Sequence, residues 1–436
     1  MNNIQIDRLN SAHSSSMRAC PSRRIQRAGL TGILFLSVTF CGMTACGHQE
    51  TVPPGTTPTL PGTIRSIQTT RDVVTLHFLG DLWANTWADD DRLYLSWGDG
   101  TGRPCAPTVD GSRPGAFVTP WSGCTEVTPG CFHIAPATSQ DGLWVQFCKT
   151  FDCQTPSACY QLCPFTDSGL LALSGPVLDF ARTGCAQIGD CVVSRDLPTP
   201  GAIPFPPGQV SKNDKCASLL SVGGRLYYAG FTPNVAPDEG YIAFSSDHGQ
   251  TWTKAMGSPW TGSCPFRVLM FINMGKNYAQ NTDGYVYALG TPLELEKTGS
   301  QPQPLYLARV GKNAVAEYDK YEYLAALDGG MASWSSESTR AIPLAGLSTL
   351  ATGSAMYHAG IGRYLFLAGH MLGGHGALFE APNPWGPWSL AGEVPGHNIS
   401  ALIPKDAGPS SVFFTSAGGT ETYELNIGRI DMDVAR

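Results

Sequence analysis

Two Gly-Asp steps, Gly80-Asp81 and Gly98-Asp99, bracket the stretch "GDLWANTWADDDRLYLSWGDG". A hairpin centred on Asp90 would set Trp87 opposite Leu93, Asn85 opposite Leu95, Trp83 opposite Trp97 and Asp81 opposite Asp99. Directly opposed residues have Cβ atoms about 4.5–5.5 Å apart, and like charges at that spacing destabilise a sheet. Two close carboxylates also resist ionising together, so one becomes an acid and the other a base near neutral pH. Retaining cleavage of a glycosidic bond uses carboxyl groups about 5–5.5 Å apart in this way. The same hairpin carries Trp83, Trp87 and Trp97, whose faces could stack on sugar rings, and Asn85, which could bond a hydroxyl. The flanking Gly80, Gly98 and Gly100 would leave room for a ligand. The alternative is structural, because Asp beside Gly also caps strand ends. Asp89, Asp90 and Asp91 read as turn and solvent residues.

Other polar groups could join that pair. Lys276, Asn277, Tyr278 and Asp283 in "KNYAQNTD" could bond sugar hydroxyls or simply brace a turn. His370 and His375 in "GHMLGGHG" could line a cleft, but no third ligand with matching spacing makes them a metal site. Glu380 could be a third carboxylate, although a surface strand position is the plainer reading. No Ser-His-Asp spacing, phosphate-binding loop or dinucleotide glycine pattern occurs, and no cofactor is expected.

The elements that must position these residues are short strands broken by turns. With 50 Gly, 33 Pro and only 14 % charged residues, the composition suits a turn-rich all-β chain. Strand groups recur at "VVTLHFLGDLW"/"RLYLSWGDG", "CASLLSVGGRLYYAGF"/"GYIAFSSDHGQTWTKA", "RVLMFINMGKNYAQNTDGYVYALGT"/"PLYLARVG", "SAMYHAGIGRYLFLAGHM"/"ALFEAPNPWGPWSLAG" and "ISALIPK"/"SSVFFTSAG"/"TYELNIGRI". Five such groups predict a five-bladed β-propeller over residues 64–436. The Cys- and Pro-rich residues 101–213 read as a disulfide-rich insertion after the first blade. "SSDHGQTW", Ser245 to Trp252, matches the Asp-box pattern Ser-x-Asp-x-Gly-x-x-Trp, in which the Asp bonds turn amides and Gly takes positive φ. "APNPWGPW", Ala381 to Trp388, reads as a second rigid turn, with Trp385 and Trp388 packing between blades.

Together "GD-W---TWADDDRLYLSWGDG", "GKNYAQNTDGYVY" and "EAPNPWGPW" resemble a propeller family long classed as a domain of unknown function. Its characterised members are glycoside hydrolases that cleave D-arabinan internally, the endo-D-arabinofuranosidases. The resemblance spans roughly residues 70–433, with the Cys-rich insertion as the main departure. It implies a five-bladed propeller, retaining chemistry, Asp81 as acid/base and Asp99 as nucleophile. The insertion, following the Asp99 strand, could reshape the cleft and alter substrate identity. A non-catalytic, lectin-like surface protein and an exo-acting arabinofuranosidase are the alternatives.

The N-terminus reads as an export signal. Arg18, Arg23, Arg24 and Arg27 precede the apolar Ala28 to Phe40, and Met43-Thr44-Ala45-Cys46 resembles a lipobox. Residues 1–45 would be the signal peptide, with Met17 an alternative start, and Cys46 the lipidated first residue of the mature chain. Residues 46–63 would be a Pro/Thr-rich tether. The chain after residue 45 holds 23 basic and 34 acidic residues, a poor match for nucleic acid. Ten cysteines between Cys105 and Cys216 fit disulfides in an exported chain, leaving Cys264 either a buried thiol or the partner of Cys216. The expected protein is an envelope-anchored monomer acting on a polysaccharide.

Overall fold

The computed structural model describes residues 63–100, 124–128, 131–134, 166–180, 191–194, 215–231, 239–292, 302–350, 352–369, 375–396, 399–417 and 424–435. The chain is all-β in these residues apart from short helical turns. β1 (Thr63–Leu79) is followed across Gly80 by β2 (Asp81–Trp87), which turns into β3 (Leu93–Gly100). β4 (Cys124–Thr128) and β5 (Cys131–Ile134) make a separate hairpin. β6 (Thr166–Leu173) and β7 (Val192–Ser194) return to complete a sheet in the order β2-β3-β6-β7. The expected insertion therefore does not follow the first blade. Two of its segments are strands of that blade, because "SGLLAL" is an apolar run that buries Leu170, Leu171 and Leu173 against β3.

A second sheet has the order β8 (Lys215–Val222), β9 (Arg225–Phe231), β10 (Gly240–Ser245) and β11 (Thr253–Lys254). A third meander contains β12 (Val268–Asn273), β13 (Tyr285–Thr291), β14 (Gln303–Gly311), β15 (Glu322–Asp328) and β16 (Met331–Ser335), with β17 (Pro343–Thr349) also on β14. A fourth contains β18 (Gly353–His358), β19 (Arg363–Ala368), β20 (Gly376–Ala381) and β21 (Ser389–Val394). It joins the third through a two-residue parallel pairing of β12 with β18. The fifth runs β22 (Ile399–Ile403), β23 (Ser411–Ala417), β24 (Glu424–Ala435) and then β1. "VVTLHFLGDLW" is thus two strands, and its first half closes the fold by pairing with the last strand.

The first strands of the five meanders neighbour one another in a closed ring, β2 to β8, β12, β18, β22 and back to β2. Each is covered on both faces, so β8 and β12 are buried along their whole length instead of alternating. Side-chain hydrogen bonds stitch the ring. Thr86 Oγ1 donates to Asn273 Oδ1 at 2.7 Å and accepts from Ser221 N at 2.9 Å. Asn273 Nδ2 donates to Asn85 O and Leu219 O, and Thr415 Oγ1 donates to Trp83 O. Buried polar groups satisfied in this way fix the relative height of neighbouring sheets.

The Asp-box turn forms as its local chemistry demands. Asp247 accepts from Thr251 N at 2.9 Å and from the hydroxyls of Ser245 and Thr251, Gly249 sits at φ 89°, and Trp252 Nε1 donates to Gly249 O. The Ser245 and Thr251 hydroxyls hold the Asp247 carboxyl down at about 2. Trp388 is buried with Nε1 on Pro384 O, and Trp385 meets Trp334 of the third sheet edge-on at 6.4 Å. Cys216 is a buried free thiol, pushed up to about 12 by desolvation, while Cys191 and Cys264 are disulfide-bonded. The thought that Cys216 belongs to the disulfide set, or pairs with Cys264, is corrected accordingly. Residues 1–62, and with them Cys46, lie outside the described residues, as do Cys105, Cys148, Cys153, Cys159, Cys163 and Cys185.

Candidate active site

The hairpin forms between β2 and β3, but its register is not the symmetric one. Ala84, Asn85, Thr86 and Trp87 pair with Ser96, Leu95, Tyr94 and Leu93 as expected. Beyond Ala84 the ladder shifts by one residue, and Asp81 pairs with Gly98 instead of Asp99. The cause is Leu82, whose φ of 62° inserts an extra residue into β2 as a bulge. Asp99 lies one position further along β3, near the same end of the sheet.

The absent side chain of Gly98 makes the seat for Asp81. A methyl group built on Gly98 would stand 2.6 Å from Asp81 Oδ1, 3.2 Å from Leu82 Cδ1 and 3.3 Å from Lys215 Cδ. Asp81 is partly exposed, with Oδ1 buried, and Lys215 is 5 % exposed. Gly80 and Gly98 therefore do not leave open space for a ligand. Gly98 is covered by the Asp81 carboxyl, and Gly80 by Trp97 and Trp83.

Trp83 and Trp97 are both fully buried, so neither offers a face to a sugar as the side chains stand. They pack in the core between the first and fifth sheets with Leu95, Leu425 and Ile427. Asn85 is 4 % exposed and lines a narrow axial cavity with Leu82, Ala84, Ser218, Ser354 and Ala401. Its Nδ2 reaches Trp83 O only at 3.5 Å, and its Oδ1 faces no hydrogen-bond partner among the described residues. Small side chains from four first strands thus leave a narrow polar shaft behind Asp81.

The remaining candidates do not gather around Asp81. Trp87 ends β2, on the order of 20 Å along the strand from Asp81. There the turns of four sheets meet. Asp91, at φ 69°, bonds Lys276 Nζ at 3.1 Å and Lys405 Nζ at 3.2 Å and accepts from Trp87 Nε1 at 3.0 Å. Lys276 is the main cause of a lowered Asp91 carboxyl, working with Trp87 and Lys405 against desolvation. Lys405 is 3 % exposed, donates to Asp91 O at 3.0 Å and stands 4.9 Å from the Trp87 ring centre. Asn277, at φ 49°, accepts from Gly224 N and Ser221 Oγ. Tyr278 is buried, its hydroxyl accepting from Tyr287 N. Desolvation works to raise the Asp283 carboxyl, but bonds from Tyr287 Oη, Tyr285 N and Asn281 Nδ2 hold it below the usual range. Trp87, Lys276, Asn277, Tyr278 and Asp283 therefore tie turns together at the end of β2 away from Asp81. Tyr94 and His248 continue that surface, His248 Nε2 lying 3.0 Å from Asp89 Oδ1.

Glu380 is not a surface residue. It is 2 % exposed, accepts from Ile64 N at 2.9 Å and stands 3.2 Å from Arg363 Nε, where it anchors the start of β1. Desolvation raises its carboxyl, against the Ile64 amide and Arg363. His375 lies 3.3 Å from Glu393. His370 falls outside the described residues. Lys215 was not picked out in the sequence, although a lysine opening the apolar strand "KCASLLSV" is itself a signal that a buried charge has a partner.

Residues 218–415 match a family described as a domain of unknown function, DUF4185, which is less than half of the chain. No curated protein matches. Among solved structures, the chain is similar to the RS223 β-xylosidase at 13 % identity and a TM-score of 0.42, covering 83 % of this chain and 94 % of that one. It is similar to a GH43_1 enzyme from Xanthomonas citri at 11 % identity and a TM-score of 0.41, covering 85 % and 94 %. It is also similar to an α-L-arabinanase from Penicillium chrysogenum at 14 % identity and a TM-score of 0.36, covering 85 % and 98 %. Similarity this distant carries no inference about chemistry.

Proposed function

We propose that the chain is a glycoside hydrolase on a five-bladed propeller, endo-acting on D-arabinan-type cell-wall polysaccharide by a retaining mechanism. Asp99 attacks the anomeric carbon while Asp81 protonates the leaving oxygen. Asp81 then takes a proton from the water that releases the sugar. No cofactor takes part. The protein works as an exported monomer, held to the cell envelope through a lipid on Cys46, with the Pro/Thr-rich tether giving it reach.

The observation that carries this reading is the seat of Asp81. A carboxyl at the start of an innermost strand, partly exposed and lodged over a glycine beside a buried lysine, is placed by the packing of two sheets. Asp99 is the residue after Gly98 on the neighbouring strand, at the same end. Such a convergence of ionisable groups on a ring opening is costly unless the charges are used or compensated. With Trp83 and Trp97 in the core, sugar contacts fall to Asp81, Asp99, the shaft residues and loops around that opening.

The test is product analysis by mass spectrometry on mycobacterial arabinogalactan and plant L-arabinan, with Asp81→Asn and Asp99→Asn alongside. A ladder of oligosaccharides from the D-arabinan, lost in both variants, supports the endo-hydrolase. Release of single arabinose units supports the exo-acting alternative. Binding without products supports the lectin-like alternative.

A further inference from the structure

We infer that Lys215 is a positioning residue of this site, a buried cation that seats the Asp81 carboxyl over Gly98 and sets its charge state. The inference deepens the reading of Asp81 as acid/base and rests on it.

Lys215 and Asp81 come from different sheets and meet above the same backbone atom. The Asp81 Oδ1 oxygen and the Lys215 Cδ carbon both lie within 3.3 Å of the point a Gly98 methyl would occupy. Those two atoms are therefore no more than about 6 Å apart, and the lysine ammonium is two bonds past Cδ. Leu82 Cδ1, 3.2 Å from the same point, is the apolar wall of this niche. Lysine rarely goes 95 % under cover without an anion, because its stem buries readily but its head does not.

The chemistry gives this cation a task. Two neighbouring carboxylates push the upper proton affinity of the pair upward. An acid/base group must release its proton in one step and accept one in the next, so its affinity has to stay near the working pH. A cation fixed beside Asp81 offsets the effect of Asp99. The titratable residues at the ends of the strands beside the start of β2 are Asp99 of β3, Lys215 of β8, His77 of β1 and Glu424 of β24, while Arg65, Arg71 and Asp72 of β1 and Arg429, Asp431 and Asp433 of β24 lie further along those strands. β22 and β23 bring none. Among these strand-end residues Lys215 carries the permanent positive charge.

The test is a carbon-13 carboxyl titration of Asp81 in the full chain, assigned with Asp81→Asn, in wild type, Lys215→Met and Lys215→Arg. The Met variant should titrate about 1 unit or more higher, and the Arg variant should restore the wild-type midpoint. The pH profile of hydrolysis should move in the same direction. An unchanged Asp81 midpoint in a folded Met variant overturns the inference. If Lys215→Met does not fold, Lys215→Gln supplies the neutral comparison, with the same two outcomes. Because the titration needs no turnover, failure to cleave any arabinan would refute the proposed function while leaving the Lys215 result readable.

Discussion

Gly98→Ala isolates the seat of Asp81 with a single methyl group. Gly98 has no positive φ, so alanine fits the backbone, and the difficulty is entirely the space above it. The new carbon would stand 2.6 Å from Asp81 Oδ1, whereas ordinary contact begins near 3.4 Å. The carboxyl must therefore retreat by about 0.8 Å, with smaller adjustments by Leu82 and Lys215. All three neighbours are side-chain atoms and none is backbone, so the fold can yield and the loss of stability should stay within about 1 kcal/mol. A displacement near 1 Å at a catalytic group costs on the order of 100-fold in rate, or about 2.7 kcal/mol of barrier. The assay is kcat/KM on arabinan beside a urea unfolding curve. A Gly98→Ala protein that melts normally and loses about 10- to 100-fold in kcat/KM agrees with the geometry. Wild-type kcat/KM in that variant would refute the placement of Asp81 at the reacting centre.

Three further outcomes follow from the packing. Lys276→Ala should leave KM for arabinan within about twofold of wild type, since Lys276 braces Asp91 at the far end of the ring; a tenfold rise would return it to the substrate site. Asp247→Asn should lower stability at pH 7 by roughly 1 kcal/mol, a partly exposed carboxyl being discounted for screening. Its folded-state affinity of about 2 lies below the ordinary 3.8, so this contribution is present above pH 3.8 and fades as pH falls toward 2. Urea curves of the two proteins should converge there, and a constant gap would contradict the assignment. Glu380→Gln removes the carboxylate from a guanidinium that is only 9 % exposed and should cost about 3 kcal/mol in unfolding, with kcat/KM unchanged.

Features written in a few consecutive residues were legible. The Asp-box of Ser245 to Trp252 could be read because its bonds all run within four residues along the chain. Strand groups showed through apolar runs and turn residues, and Trp385 and Trp388 through their Pro-Gly setting. Features that depend on geometry at one residue were not. Nothing in the alternation of "GDLWANTW" reveals that Leu82 takes positive φ, yet that bulge moves Asp81 from Asp99 to Gly98. Proximity in sequence also misled. Asp81 and Trp87 share one strand, and a strand's length is what puts them at opposite ends of the ring. β6 was hidden because its apolar run sits inside a Cys- and Pro-rich segment. The closure of β1 on β24 pairs residues more than 340 positions apart, beyond any local pattern.

The most direct measurement is the hydrolysis of D-arabinan by wild type and by Asp81→Asn, with melting curves for both. The account predicts oligosaccharide products from the wild type and a loss of about 1000-fold or more in the variant, in keeping with removal of an essential acid/base, at unchanged stability. Equal product formation by a folded Asp81→Asn protein would contradict it.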